Sequence, residues 1–286
     1  MEGLSAPNTK AGRLQRVCLD LIIEHETDRA LPTSGRFLFY ELISRGEIPK
    51  AYLKPNGDKK ARQPLQDVSD ALTHLREADI VPWDYLVDET RALDSWSYAP
   101  TVYEYVERAV PSARIDLWDG SPPPLILCES RSLAGVLREI ARAYLCPIAS
   151  TNGQAGGFLR TDLGPLLRND EAPRRVLYLG DLDLSGGHIE DNTRAVLSRY
   201  GDLDWQRLAI THTQVRERGL EAVEKRDGRY RPAQYFPAVE TEALRQREIQ
   251  RLLTGALEEA VPEPLAVVRV REERQRVRVR ERLAGP

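Results

Sequence analysis

Three carboxylates in this 286-residue chain stand where chemistry can use them. Asp181 and Asp183 lie two apart in LGDLDLSGG, directly after the apolar run Val176 to Leu179, and Glu129 directly follows the apolar run Leu125 to Cys128. With both runs as buried strands, the two aspartates approach one point and the glutamate ends a neighbouring strand. Three hard oxygen donors with no Cys or His partner suit Mg²⁺, or Mn²⁺ in its place, better than Zn²⁺. A cation there polarises a phosphoryl oxygen and neutralises charge that builds up in a transition state. The aspartates also have a structural alternative, because Asp caps helices well and the following glycines suit a tight turn.

Such a site needs strand ends on one side of a sheet, and the second half of the chain reads that way. The stretch SPPP at Ser121 to Pro124 marks an expected domain boundary. Beyond it, short apolar runs at Leu125 to Cys128, Pro147 to Ala149, Val176 to Leu179 and Leu208 to Ile210 alternate with helical stretches. Ser132 opens the first of these, Gly156 to Leu167 contains another, and His188 to Arg199 forms a third. This alternation predicts an α/β fold with a parallel sheet, whose ligands bind at the carboxyl ends of the strands. Glu129 and Asp181 fall at such ends. His188 and His212 lie nearby and read as surface residues. Glu240 and Glu242 are candidates for an outer-shell carboxylate or for acidic residues at a helix start.

The first half is helical. Leu14, Val17, Cys18, Leu21 and Ile22 share one helical face, so a helix is expected over about Gly12 to Glu26. Thr33 or Ser34 caps a second through Leu38, Leu42 and Ile43, with Gly46 as its stop, and Val68, Ala71, Leu72 and Leu75 give a third. Between Arg29 and Arg62 there are eight basic and three acidic residues, a local excess that makes this a candidate polyanion-binding segment. Gln63 to Asp119 is the opposite, with four basic and twelve acidic residues, so phosphate contacts must be directional. Three helices with a basic loop between the last two suit a helix-turn-helix or winged-helix module, although any small helical bundle has the same spacing.

Composition narrows the classes further. The net charge is -3, with 41% hydrophobic residues, and no apolar run approaches the roughly 18 residues of a membrane span. The N-terminal MEGLSAPNTKAGRLQ has no apolar core of a secretory signal, so a soluble cytoplasmic protein is expected. Cys18, Cys128 and Cys146 have no CxxC spacing and sit in apolar surroundings, which excludes a disulfide framework or zinc knuckle and makes them core residues. Leu265 to Pro286 holds seven arginines and three glutamates and reads equally as an interaction arm, an added strand or a frayed helix.

The pair CESRSLAGVL and YLGDLDLSGGHI resembles the Toprim fold of topoisomerases, primases and related nucleases, in which a Glu follows one strand and DxD a later one. GRFLFYELISRG resembles the catalytic stretch of the topoisomerase VI A subunit and the meiotic double-strand-break transesterase, an Arg followed four residues later by a Tyr on a winged-helix module. The order of the two parts also agrees, and the resemblance spans about Pro32 to Leu253. VPWDYLVDETR looks like a segment of uncharacterised bacterial and phage proteins of this architecture, and VETEAL is similar to an acidic helix start that follows the Toprim core. Glu41 after Tyr40, where many relatives carry an aromatic, and Gly35 before Arg36 depart from the pattern.

The resemblance implies a winged-helix-type module over residues 1–120, a Toprim domain over 121–264 and a basic tail over 265–286. It implies Tyr40 as nucleophile, Arg36 as the residue steadying the scissile phosphate, and Glu129, Asp181 and Asp183 as Mg²⁺ ligands. Arg36, Arg45, Lys50, Lys54, Lys59, Lys60 and Arg62 are the candidate DNA contacts. Arg36 and Tyr40 sit at i and i+4 and share a helix face. A tyrosine with a pKa near 10 needs an adjacent cation, metal or base to attack. The alternative for Tyr40 is core packing, as for any aromatic in FLFY. The expected function is Mg²⁺-dependent cleavage of double-stranded DNA by tyrosine transesterification in a nucleoid-associated homodimer, the tyrosine of one copy facing the metal site of the other. No GxxxxGK[ST] loop is present, so ATP-driven strand passage requires a separate ATPase subunit. The alternatives are a Toprim nuclease that hydrolyses DNA with metal-activated water and a non-catalytic DNA-binding regulatory protein.

Overall fold

A computed structural model of the chain describes residues 3–55, 60–87, 95–151, 156–167, 172–227 and 234–284. The first three helices are α1 (Lys10–Thr27), α2 (Gly35–Ser44) and α3 (Pro64–Glu77). Each starts on a local signal. Thr9 accepts from the Gly12 N–H, Ser34 from the Phe37 N–H, and α3 opens with proline and a reciprocal cap between Gln63 and Gln66. A side chain at Gly12 would stand 2.2 Å from the Ala6 carbonyl oxygen, so only glycine lets the N-terminal strap cross α1. The apolar faces meet in one core of Cys18, Leu21, Ile22, Leu38, Leu42, Val68, Leu72 and Leu75. A short helix α4 (Val102–Ala109) follows, with no buried side chain.

The second half alternates as expected: β1 (Leu125–Cys128), α5 (Arg131–Ala143), β2 (Ile148–Ser150), the helical turns α6 (Gly156–Phe158) and α7 (Gly164–Leu167), β3 (Arg174–Leu179), α8 (Leu184–Leu197) and β4 (Leu203–Ala209). The four strands form a wholly parallel sheet in the order β2-β1-β3-β4. Alternate side chains of β1 and β3 serve opposite faces. Ile126, Cys128, Leu177 and Leu179 pack toward α5, whereas Leu125, Leu127, Val176 and Tyr178 pack toward α8 and the α6–α7 segment. The chain ends with α9 (His212–Arg218), an antiparallel hairpin of β5 (Val223–Asp227) and β6 (Gln234–Ala238), α10 (Gln246–Ala260) and α11 (Leu265–Ala284).

Several boundaries differ from expectation for physical reasons. β4 begins at Leu203 and stops before Ile210, because it lies at the sheet edge and alternates between half-buried and exposed residues until Leu208. Ser130, not Ser132, caps α5, and α8 starts at Leu184 with Asp183 as its cap. The tail is a helix: Val268 and Glu272 are buried, and Glu272 accepts from the Ile115 N–H at 3.1 Å and pairs with Arg269 at 2.8 Å. All three cysteines are buried free thiols. Among the described residues no helix is long and apolar enough to cross a membrane.

The two halves are packed together. Phe37 of α2 lies in the core on the α5 side of the sheet, as do Leu117, Trp118 and Val268 from outside residues 121–264. Trp118 Nε1 donates to the Tyr144 carbonyl at 2.9 Å. Gln246, fully buried at the start of α10, accepts from Thr33 Oγ1 at 2.6 Å and donates to the Pro32 carbonyl at 2.8 Å. This clamp sets α2 against the carboxyl ends of the sheet strands.

Candidate functional site

Glu129 and Asp181 emerge side by side because β1 and β3 are adjacent and parallel, and both strands end there. The Glu129 backbone N–H donates to the Leu179 carbonyl, and its side-chain Oε2 accepts from the Asp181 N–H, each at 2.9 Å. Asp181 Oδ1 accepts from both the backbone N–H and the hydroxyl of Thr241, at 2.9 and 3.1 Å. Asp183 caps α8 through the Gly186 N–H at 2.6 Å, and its other oxygen pairs with Lys225 Nζ of β5 at 2.5 Å. A Cβ at Gly186 would meet the Asp181 carbonyl oxygen at 2.4 Å and Glu129 Oε2 at 3.2 Å, so only glycine lets the start of α8 lie this close to the Asp181 backbone and the Glu129 carboxylate.

Arg207 of β4 holds this turn from behind. Its guanidinium donates to the carbonyls of Gly180 and Asp181, both at 2.7 Å, and pairs with Glu190 of α8. The orientation of Asp181 therefore depends on an arginine in an edge strand.

From the other side Arg36 of α2 reaches into the cluster. Its Nε lies 3.1 Å from Glu242 Oε1 and its Nη2 3.0 Å from Glu240 Oε2. Glu242 is 2% exposed and also accepts from Ser130 at 3.0 Å and Ser132 at 3.3 Å. Arg36 loses solvation by burial, but Glu242, Glu240 and Asp181 outweigh that loss and raise its pKa. Burial raises the Glu242 pKa, only partly offset by Arg36. Burial, followed by the Asp181 charge, pushes Glu129 up to about 7. Asp183 is held below its ordinary value, the Lys225 ammonium prevailing over burial.

Among the described residues no three His, Cys, Asp or Glu side chains are already gathered into a cation cage. The donor set nevertheless fits a hard cation. Glu129 and Asp181 stand at adjacent strand ends, Asp183 follows two residues on, and the Lys225 amine, 2.5 Å from Asp183, stands there as a cation would.

The remaining expected residues are dispersed. Tyr40 is half-buried against the N-terminal core, edge-on to Phe39 with ring centroids 5.2 Å apart, and Lys50 Nζ lies 5.4 Å from its ring centroid. Arg45 pairs with Glu24 at 2.6 Å, while Arg62 pairs with Asp67 and Asp70. Lys54 and Lys60 are exposed, and Lys59 lies outside the described residues. The basic segment is thus not one continuous face, because its arginines are matched by neighbouring carboxylates.

Lys225 and Arg207 carry no local motif and were not foreseen. VETEAL did signal Glu240 and Glu242, which pair with Arg36 from a distant part of the chain. No family model, curated protein or solved structure matches the chain.

Proposed function

We propose that this chain is a DNA strand-cleaving protein of the Toprim type, with Glu129, Asp181 and Asp183 as Mg²⁺ ligands and Tyr40 as nucleophile. The observation that carries the reading is that Glu129 and Asp181, at the ends of two adjacent parallel strands, lie beside an arginine, Arg36, on the helix that also bears Tyr40, with Asp181 among the charges acting on it. When bound there, Mg²⁺ supplies charge neutralisation for the phosphodiester. Arg36 steadies a phosphate oxygen, with Glu240 and Glu242 fixing its position until DNA arrives. Lys50 stabilises negative charge developing on the Tyr40 phenol. The phenolic oxygen bonds to phosphorus, the sugar oxygen leaves and takes up the proton, and a phosphotyrosyl ester keeps the break reversible. In a homodimer the tyrosine of one copy serves the carboxylates of the other, and any ATP-driven strand passage belongs to a separate subunit.

The packing of Tyr40 against Phe39 and the N-terminal core favours a second reading, in which water replaces tyrosine and the cleavage is hydrolytic. A denaturing gel of supercoiled plasmid with Mg²⁺ tests both. Covalent protein–DNA adducts that vanish in Tyr40→Phe support transesterification. Undiminished cleavage by Tyr40→Phe, without adducts, supports the nuclease, and no cleavage by the parent refutes both.

A further inference from the structure

A second concave feature lies farther along α2, away from the acidic cluster. It is a cleft of about 540 Å³ between the end of α1, the second half of α2, the end of α9 and the start of α10, and five arginines line it: Arg45, Arg218, Arg245, Arg247 and Arg251. Four carboxylates share the lining, but each has a partner. Glu24 pairs with Arg45 at 2.6 Å, Asp28 with Arg247 at 2.6 Å, Glu248 with Arg218 at 2.7 Å, and Glu41 Oε1 lies 2.9 Å from His25 Nε2. Arg245 and Arg251 are exposed and make no ion pair among the described residues, so the cleft carries five guanidinium groups against four carboxylates and two of the five are free of a paired carboxylate.

Two further observations point to an occupant, the second of them to an anionic one. His25 is 6% exposed, and its buried Nδ1 has no hydrogen-bond partner among the described residues, although the ring lines the cleft. A buried ring nitrogen without a partner is costly unless a ligand supplies one. The 15-residue helix α10 also begins at the cleft without a side-chain cap, so its positive end adds to the arginines.

We propose that this cleft binds phosphate, and that its occupant is the backbone of a nucleic-acid strand continuing from the acidic cluster. Arg36 at the cluster, Tyr40 and then Ser44 at the cleft follow one stripe of α2. Eight helical residues advance about 12 Å. A strand rises about 3.4 Å per nucleotide, so the cleft receives the phosphate about three to four nucleotides from the one at the cluster. The nucleic-acid source rests on the function proposed above, whereas the phosphate chemistry does not.

The test uses the full chain in EDTA, so that binding is read without cleavage. Labelled single-stranded and duplex oligonucleotides are titrated by fluorescence anisotropy over a series of salt concentrations, with inorganic phosphate and mononucleotides as competitors. Arg245→Ala/Arg251→Ala removes two exposed side chains and is checked for an unchanged melting temperature. Oligonucleotide affinity is expected to fall by about tenfold or more, and the salt slope by about 1–2. Arg245→Lys/Arg251→Lys retains most of both, and the Mg²⁺-induced thermal shift of the Ala variant matches the parent. Equal affinity and salt slope in parent and Ala variant overturn the proposal. Mononucleotides that bind as tightly as oligonucleotides, with the same loss in the variant, overturn the strand assignment. Arginine-dependent binding without plasmid cleavage in Mg²⁺ leaves the cleft standing and removes the cleavage reading. Cleavage by a parent whose binding ignores Arg245 and Arg251 does the reverse.

Discussion

Glu129→Gln separates the electrostatic cost of the acidic cluster from its packing. The amide oxygen can still accept from the Asp181 N–H, so the turn keeps the hydrogen bond now made at 2.9 Å. What disappears is a carboxylate whose pKa is pushed from 4.5 up to about 7, first by burial and then by Asp181. In metal-free protein, a carboxylate with a raised folded-state pKa imposes no penalty below its ordinary value. Its cost grows as pH climbs toward 7, because the unfolded chain releases the proton first and the folded chain still holds it. At about 1.4 kcal/mol per pH unit the full gap is about 3 kcal/mol, and solvent screening of the half-buried group reduces this to about 1.5 kcal/mol. For a chain of this size that is about 2–3 °C in melting temperature. Thermal denaturation in EDTA is therefore expected to show the variant level with the parent near about pH 5 and above it near about pH 8. Millimolar Mg²⁺ should raise the parent and leave the variant unchanged. A variant less stable than the parent at the higher pH, or one with an undiminished Mg²⁺ shift, refutes the reasoning.

Asp183→Ala removes both a helix cap and a candidate ligand, so a loss of about 1 kcal/mol should accompany loss of Mg²⁺-dependent cleavage, read by denaturant melts and plasmid assay. Arg207→Met frees the carbonyls of Gly180 and Asp181, so Mg²⁺ affinity by calorimetry should weaken about tenfold or more while the far-UV circular dichroism spectrum persists. Gln246→Leu leaves Thr33 Oγ1 and the Pro32 carbonyl without their partner, and urea denaturation should show a loss of about 2–4 kcal/mol. Burial works against ionisation of Asp67, but Lys10, Arg62 and Tyr52 hold its pKa at about 2. The stabilisation is thus complete above about pH 4 and disappears as pH falls toward 2, worth about 1 kcal/mol after screening; Asp67→Asn should abolish that acid-limb slope in a pH series of melts.

The cation candidates were legible because β1 and β3 are buried on both faces and read as continuous apolar runs that end at Glu129 and just before Asp181. The cap reading of Asp183 was equally legible, and the structure shows the residue in that role. β4 was legible only at its end, because an edge strand hides half its residues in an exposed pattern, and Arg207 went unnoticed with it. The β5–β6 hairpin gave no signal, since Val223–Asp227 is charged and β6 contains Pro237, so the Lys225 pairing with Asp183 was invisible. The Arg36–Glu242 contact joins residues that no local periodicity relates. The expected boundary at Ser121 to Pro124 does separate helices from sheet, but Trp118, just before it, is a core residue of the sheet unit.

The Gln246 clamp also orders events during synthesis. Its contacts with Pro32 and Thr33 span 214 and 213 residues, and the Arg36–Glu240 pair spans 204. Three helices with their own core emerge from the ribosome first and can fold locally. Throughout the making of the sheet, however, Arg36 lacks both of its ion-pair partners, because Glu240 and Glu242 are still untranslated. A nascent chain therefore carries Arg36 without its two ion-pair partners until most of it has been built, and completes the candidate site only as the start of α10 follows those glutamates out of the exit tunnel.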